Sequence, residues 1–122
     1  MKIRFVLCPL LLAAVVACGS TSSPSTPSPS GGSSGTPVSI VKGAESLTTT
    51  AYAPNPISVA VGSSLTWTNN DSTTHTSSAD GGAGNSGSIP PGGTFTTTFN
   101  SPGTFKYHCA IHPNMVGTVT VQ

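Results

Sequence analysis

From Ile57 onward, apolar and polar residues alternate with a period of two. Ile57, Val59 and Val61 alternate with Ser58 and Ala60, and Gly62-Ser63 follows as a turn. Leu65 and Trp67 alternate with Thr66 and Thr68, and Phe95, Thr97 and Phe99 with Thr96 and Thr98. After a second turn at Pro102-Gly103, Phe105, Tyr107 and Cys109 alternate with Thr104, Lys106 and His108; Val119 and Val121 close the chain. Successive side chains of a strand point to opposite faces, so each run predicts a short strand with one buried face. Short runs bounded by turn residues predict an all-β, antiparallel sandwich. No segment has convincing helical periodicity; Ala44 to Leu47 could form one turn at most. Six glycines between Ser77 and Gly93 argue against a long regular element. That stretch predicts a mobile loop with a short strand near Ser77.

The N-terminal third reads differently. Lys2 and Arg4 precede an apolar run from Phe5 to Ala17. Two positive charges before a short apolar segment are the pattern of an export signal, and the run is too short for a bilayer span of roughly 20 residues. Val15-Val16-Ala17-Cys18 resembles a bacterial lipobox, which implies cleavage after residue 17 and lipidation of Cys18. Residues 18–37 are then an anchored tether. From Gly19 on they are almost all Ser, Thr, Pro and Gly, a composition that cannot offset its ordering entropy. Residues 38–122 form the one folded domain.

Charge narrows the function. Only 6 % of residues are charged, and the net charge of +1 owes its sign to the signal segment. Lys42 and Lys106 face Glu45, Asp71 and Asp80 in the remainder. No basic stripe exists, so no nucleic-acid partner is expected. A domain this small buries only about 60 % of its unfolded surface, so a bound metal would help stabilise it.

Cys109, His112 and Met115 place a thiolate, an imidazole and a thioether in seven residues, with two residues between successive donors. His75 is a fourth candidate, in a polar loop after a strand. Two His and one Cys with a weak axial Met make a blue-copper electron-transfer set. Cys109 shares the apolar face of Phe105 and Tyr107, whereas His108 points away and is not expected to ligate. A chance grouping of core residues would have to place four donor types together. Zinc is the stronger rival, and the weak Met argues against it.

The stretch from Ile57 to Val121 resembles a cupredoxin of the plastocyanin and amicyanin type. Tyr107-His108-Cys109-Ala110-Ile111-His112-Pro113-Asn114-Met115 is similar to the amicyanin ligand loop, including its short gap between His112 and Met115. Val61-Gly62, Thr66-Trp67 and Asn69 match the strand leading to the family's first His. The resemblance implies a cupredoxin-like Greek-key β-sandwich holding one Cu(I)/Cu(II) ion in a type 1 site. His75, Cys109, His112 and Met115 would be the ligands, with His112 as the electron port. Many members have Asn after the first His; here Thr76 stands there, which puts the bracing of the site in question.

These readings converge on a monomeric electron carrier, not an enzyme. It would exchange one electron with redox partner proteins outside the cytoplasm, held to a membrane by Cys18. Multi-copper enzymes carry a His after the Cys, where this chain has Ala110. The two-copper domain of terminal oxidases needs a second Cys in the loop. A periplasmic copper-binding or delivery module is the alternative.

Overall fold

A computed structural model describes residues 35–82 and 84–122. The signal segment 1–17, Cys18 and most of the 18–37 tether lie outside the described residues. Eight strands are present among the described residues: β1 (Thr36–Ile40), β2 (Tyr52–Ala53), β3 (Ile57–Val59), β4 (Ser63–Asn69), β5 (Ser78–Ala79), β6 (Thr94–Phe99), β7 (Gly103–His108) and β8 (Val116–Val121). A single 3-10 turn, Ala44–Ser46, is the only helical element among the described residues. It starts after Gly43, whose φ of 71° is a conformation glycine adopts without strain.

The strands form two four-stranded sheets, ordered β2-β1-β4-β6 and β3-β8-β7-β5. The all-β sandwich is as expected, but each sheet is mixed: β1 runs parallel to β4, and β3 parallel to β8. Period-two patterning reports which face is buried and is silent on strand direction. Strand β1 also begins two residues inside the stretch read as tether, because Thr36 and Pro37 pair with Leu65 and Thr66. A proline is tolerated there because β2 covers only Ser39 and Ile40, which leaves Pro37 at a locally open edge.

The inward positions are those the alternation marks. Leu65, Trp67, Tyr107, Val119 and Val121 are buried with Val38, Ile40 and Tyr52. Val61 is the exception, 48 % exposed, because β3 ends at Val59 and the chain is already turning. Aromatic rings fill the middle of the core. Tyr107 meets Tyr52 edge-on at 4.8 Å and Trp67 at 5.5 Å, and Trp67 packs on Phe95 at 5.8 Å. Tyr107 fits because its cross-strand partner is Gly117: a Cβ there would collide with the phenol ring. Burial pushes the Tyr107 hydroxyl up to about 12, against the neighbouring Trp67 side chain, which lowers it.

The 77–93 stretch is more ordered than its glycines suggest. Ile89 is 2 % exposed, and its backbone exchanges two hydrogen bonds with His75, at 3.1 and 2.8 Å. The Ser77 N–H donates to Ser86 Oγ at 2.8 Å and the Ala79 N–H to Asn85 Oδ1 at 2.9 Å. The short strand expected near Ser77 is β5.

Candidate metal centre

The first candidate ligand is placed by a polar residue at an inward position. Asn69 ends β4 on the same face as Leu65 and Trp67 and is 1 % exposed. A buried amide is tolerated when its polar atoms are paired. Its Nδ2 donates to the carbonyls of Thr73 and Ile89, at 2.7 and 2.9 Å, and its Oδ1 accepts from the Asp71 N–H at 2.9 Å. These bonds fold the 70–74 loop into one path and deliver His75, fully buried, to the interior.

Asp71 then fixes the ring of His75. Its Oδ2 lies 2.8 Å from His75 Nε2, with Thr73 Oγ1 at 3.0 Å from the same nitrogen. A carboxylate there assigns the ring proton to Nε2 and leaves the Nδ1 lone pair free, the usual support for a metal-binding histidine. Burial pushes the Asp71 carboxyl up. The N–H groups of Gly43 and Ser72, with the His75 ring, outweigh it and hold the carboxyl well below the usual range. Glu45 is also close to this pair. Since Asp71 already accepts from three backbone N–H groups, those of Gly43, Ala44 and Ser72, and is bonded to His75, the cluster reads as support for the ring.

Cys109 follows directly on the end of β7 and is fully buried. The segment beyond it folds back on itself. The Met115 N–H donates to the His112 carbonyl at 3.0 Å, and the Cys109 N–H to the Met115 carbonyl at 3.1 Å. Asn114 Nδ2 ties the loop to the 3-10 turn region through the carbonyls of Leu47 and Glu45, at 2.8 and 3.2 Å. Met115 is fully buried in this arrangement and His112 partly exposed.

Three donor atoms converge. Cys109 Sγ lies 3.8 Å from the Nδ1 of His75 and 3.8 Å from that of His112, and the two Nδ1 atoms are 3.2 Å apart. A point equidistant from all three lies about 2.1 Å from each, the length of a bond from imidazole nitrogen to a first-row metal. Two nitrogen lone pairs this close repel unless a proton or a metal ion lies between them. The set of two imidazoles, one thiolate and a soft thioether nearby fits a copper ion in either of its oxidation states.

Thr76 answers the question its position raised. Its N–H donates to Cys109 Sγ at 3.3 Å, and its Oγ1 accepts from the Ala110 N–H at 2.8 Å. Its carbonyl accepts from the Tyr52 hydroxyl at 2.6 Å. The hydroxyl therefore braces the two ligand-bearing segments against each other. Burial raises the Tyr52 hydroxyl far above its ordinary value, and the nearby Cys109 and Tyr107 add to the rise. His108, as expected, is no part of the centre; its Nδ1 contacts Asp80 at 2.6 Å on the surface.

Residues 10–121 match the family of cupredoxin-like domains. The chain belongs to that family. Among curated proteins, this cupredoxin is 32 % identical over 71 residues to amicyanin-alpha of Methylorubrum extorquens, over 54 % of this chain and 60 % of that protein. It thus spans less than two thirds of that relative. Among solved structures, a purple cupredoxin from Nitrosopumilus maritimus is 33 % identical with a TM-score of 0.65, over 71 % of this chain and 99 % of the other. The Cu(I) form of an amicyanin mutant is 25 % identical with a TM-score of 0.60, over 72 % and 82 %. The four candidate ligands His75, Cys109, His112 and Met115 are thus buried or half-buried in one region of a cupredoxin fold. The supporting roles of Asp71 and Tyr52 were missed in the sequence, and Asn69 stood out there only as part of the strand resemblance. The only signal was a cluster of polar residues four to six positions before His75, and nothing local pointed to Tyr52.

Proposed function

We propose that this cupredoxin is a single-copper electron carrier, with His75, Cys109, His112 and Met115 as its ligands. The observation that carries the reading is the convergence of Cys109 Sγ and two imidazole Nδ1 atoms within 3.8 Å of one another. When bound, copper supplies a one-electron couple. The protein's part is to keep the donors in one arrangement through both oxidation states. Asp71 holds the His75 ring, Thr76 braces the segment of Cys109, and Asn114 holds the ligand loop. With Cys109 fully buried, water is kept from the thiolate. The donors are fixed before the electron arrives, so little rearrangement opposes its transfer.

The electron's route is through His112, the ligand nearest solvent. Around it stand Ala110, Ile111 and Pro113, with Ile111 49 % exposed. From Cys109 to Gln122 there is no Asp, Glu, Lys or Arg. An apolar patch around the port suits brief docking with redox partner proteins. The likeness to amicyanin supports reading the protein as a carrier and not an enzyme. A copper-delivery role would be favoured only if the bound ion exchanged readily, which a fully buried Cys109 opposes.

Adding Cu(II) to the protein should produce an intense visible thiolate-to-copper band that one electron equivalent bleaches reversibly. Cys109→Ala should abolish it. A colourless product that prefers zinc would sink the proposal, and a coloured one that cannot be cycled would favour delivery. The location proposed is outside the cytoplasm, anchored at Cys18. Cys18→Ser should move the protein from the membrane to the soluble fraction; unchanged retention would count against the anchor.

A further inference from the structure

The sandwich is open along one edge, where β6 of one sheet faces β5 and β7 of the other. A cleft of about 190 Å³ lies there. Its existence follows from small residues where a wall would be. Strand β5 is only two residues long, so on that side Lys106 gains only the Asp80 N–H at 3.0 Å, and Gly103 to Phe105 gain no strand partner. Ala79 pairs with Tyr107 and faces the interior beside it, offering one methyl group. Ser77 and Gly84 are also small. Phe99 on β6 of the other sheet and Phe105 on β7, with ring centroids 5.3 Å apart, stay only partly buried.

The cleft's shape and chemistry select a ligand class. Trp67 and Tyr107, almost wholly covered, border it, and the partly buried Phe99 and Phe105 give an occupant aromatic surface from both sheets. Aromatic rings favour edge-on or offset contact with other rings, beyond what area alone provides. A cavity of roughly 150 Å³ accommodates one benzene ring, whereas drug-sized ligands need about 300 Å³ or more. Thr97, Asn100 and Lys106 also line the cleft and supply polar groups. None of the four metal-ligand candidates lines it, so a ligand here does not compete with the metal.

We infer that this cleft is a binding site for a single-ring aromatic alcohol or phenol, its ring between the sheets and its hydroxyl toward the polar lining. The protein has one tryptophan, and it lines the site, so its emission reports occupancy directly. Phenol is the probe and cyclohexanol, which has the hydroxyl without the aromatic ring, the comparison. Titration of the full chain with phenol should change Trp67 emission to saturation, with affinity at least about threefold above that of cyclohexanol. Ala79→Leu fills the cleft from one sheet and Thr97→Leu from the other. Each should weaken phenol binding at least about tenfold, while thermal unfolding shows the fold retained. Two variants guard against one failing to fold. A linear, unsaturated response would overturn the inference, as would unchanged affinity in a folded variant. Binding that weakens as protein concentration rises would assign the cleft to a second copy instead. The experiment does not depend on the bound metal, so its failure would leave the electron-carrier proposal untouched.

Discussion

Thr76 organises the site without being one of its candidate ligands. Its N–H, hydroxyl and carbonyl each bond a different part of the molecule: Cys109 Sγ, the Ala110 N–H and the Tyr52 hydroxyl. The backbone contacts survive any substitution that keeps the chain path, and the hydroxyl contact does not. Thr76→Val keeps the shape and removes the acceptor, leaving the Ala110 N–H unpaired in a partly buried place. A buried donor left unpaired costs about 1–3 kcal/mol. Chemical denaturation should therefore show a loss of that order, with the visible copper band retained because the N–H to sulfur bond remains. Unchanged stability would show that the hydroxyl is no brace. At this scale the four candidate donors were legible in the sequence, because donor chemistry is a property of residue type and three of them lie in one short segment. The supports were not. Asp71 reaches His75 Nε2 only after the 70–74 loop has folded around Asn69, and Tyr52 comes from a strand 24 residues away.

At the level of elements, the strands fall where alternation places them, and the departures share a cause. Val61 continues the alternation of β3 but lies past its end, so periodicity alone overran the strand by two residues. The parallel pairs β1–β4 and β3–β8 join segments far apart in sequence, and no local pattern encodes their direction. The 77–93 stretch shows the opposite error. Its glycines suggested mobility, yet Ile89 anchors it by a buried side chain and a bridge to His75. One apolar residue among glycines carries no periodicity, so its role could not be read. Because Asn69 Nδ2 also donates to the Ile89 carbonyl, this residue ties the loop to both the end of β4 and the first ligand. Truncation of a buried Ile to Ala costs about 2–5 kcal/mol, according to how far the site can collapse. Ile89→Ala should show a loss in that range in metal-free unfolding. It should also raise hydrogen exchange at the His75 amide, which donates to the Ile89 carbonyl. If stability fell while the amide stayed protected, Ile89 would be core filler and not an anchor for the ligand segment.

For the molecule as a whole, the distribution of charge matters more than its sum. The described residues carry Lys42, Lys106, Glu45, Asp71 and Asp80, and Asp71 is buried beside His75, already bonded to its ring. Asp80 is paired at the surface with His108. The surface around His112 is apolar and amide-bearing: Ala110, Ile111, Pro113 and Asn114. Electrostatic steering needs a field of one sign that extends beyond the Debye length, about 8 Å at physiological ionic strength. So few isolated charges generate no such field. Docking at the port would then depend on removing apolar surface from water, which added salt does not weaken. The bimolecular rate of reduction by an uncharged small reductant should therefore change little between low and high ionic strength, and the rate with a protein partner should follow it closely. Partners that rely on steering lose rate steeply over the same range. Substituting Ile111→Lys would place one positive charge beside His112 and remove apolar contact. It should slow exchange with the native partner and introduce a salt dependence the parent lacks, measurable by stopped-flow bleaching of the visible band. A steep fall of the parent rate with salt would instead mean that the partner approaches over the Lys106 and Asp80 side of the molecule, away from His112.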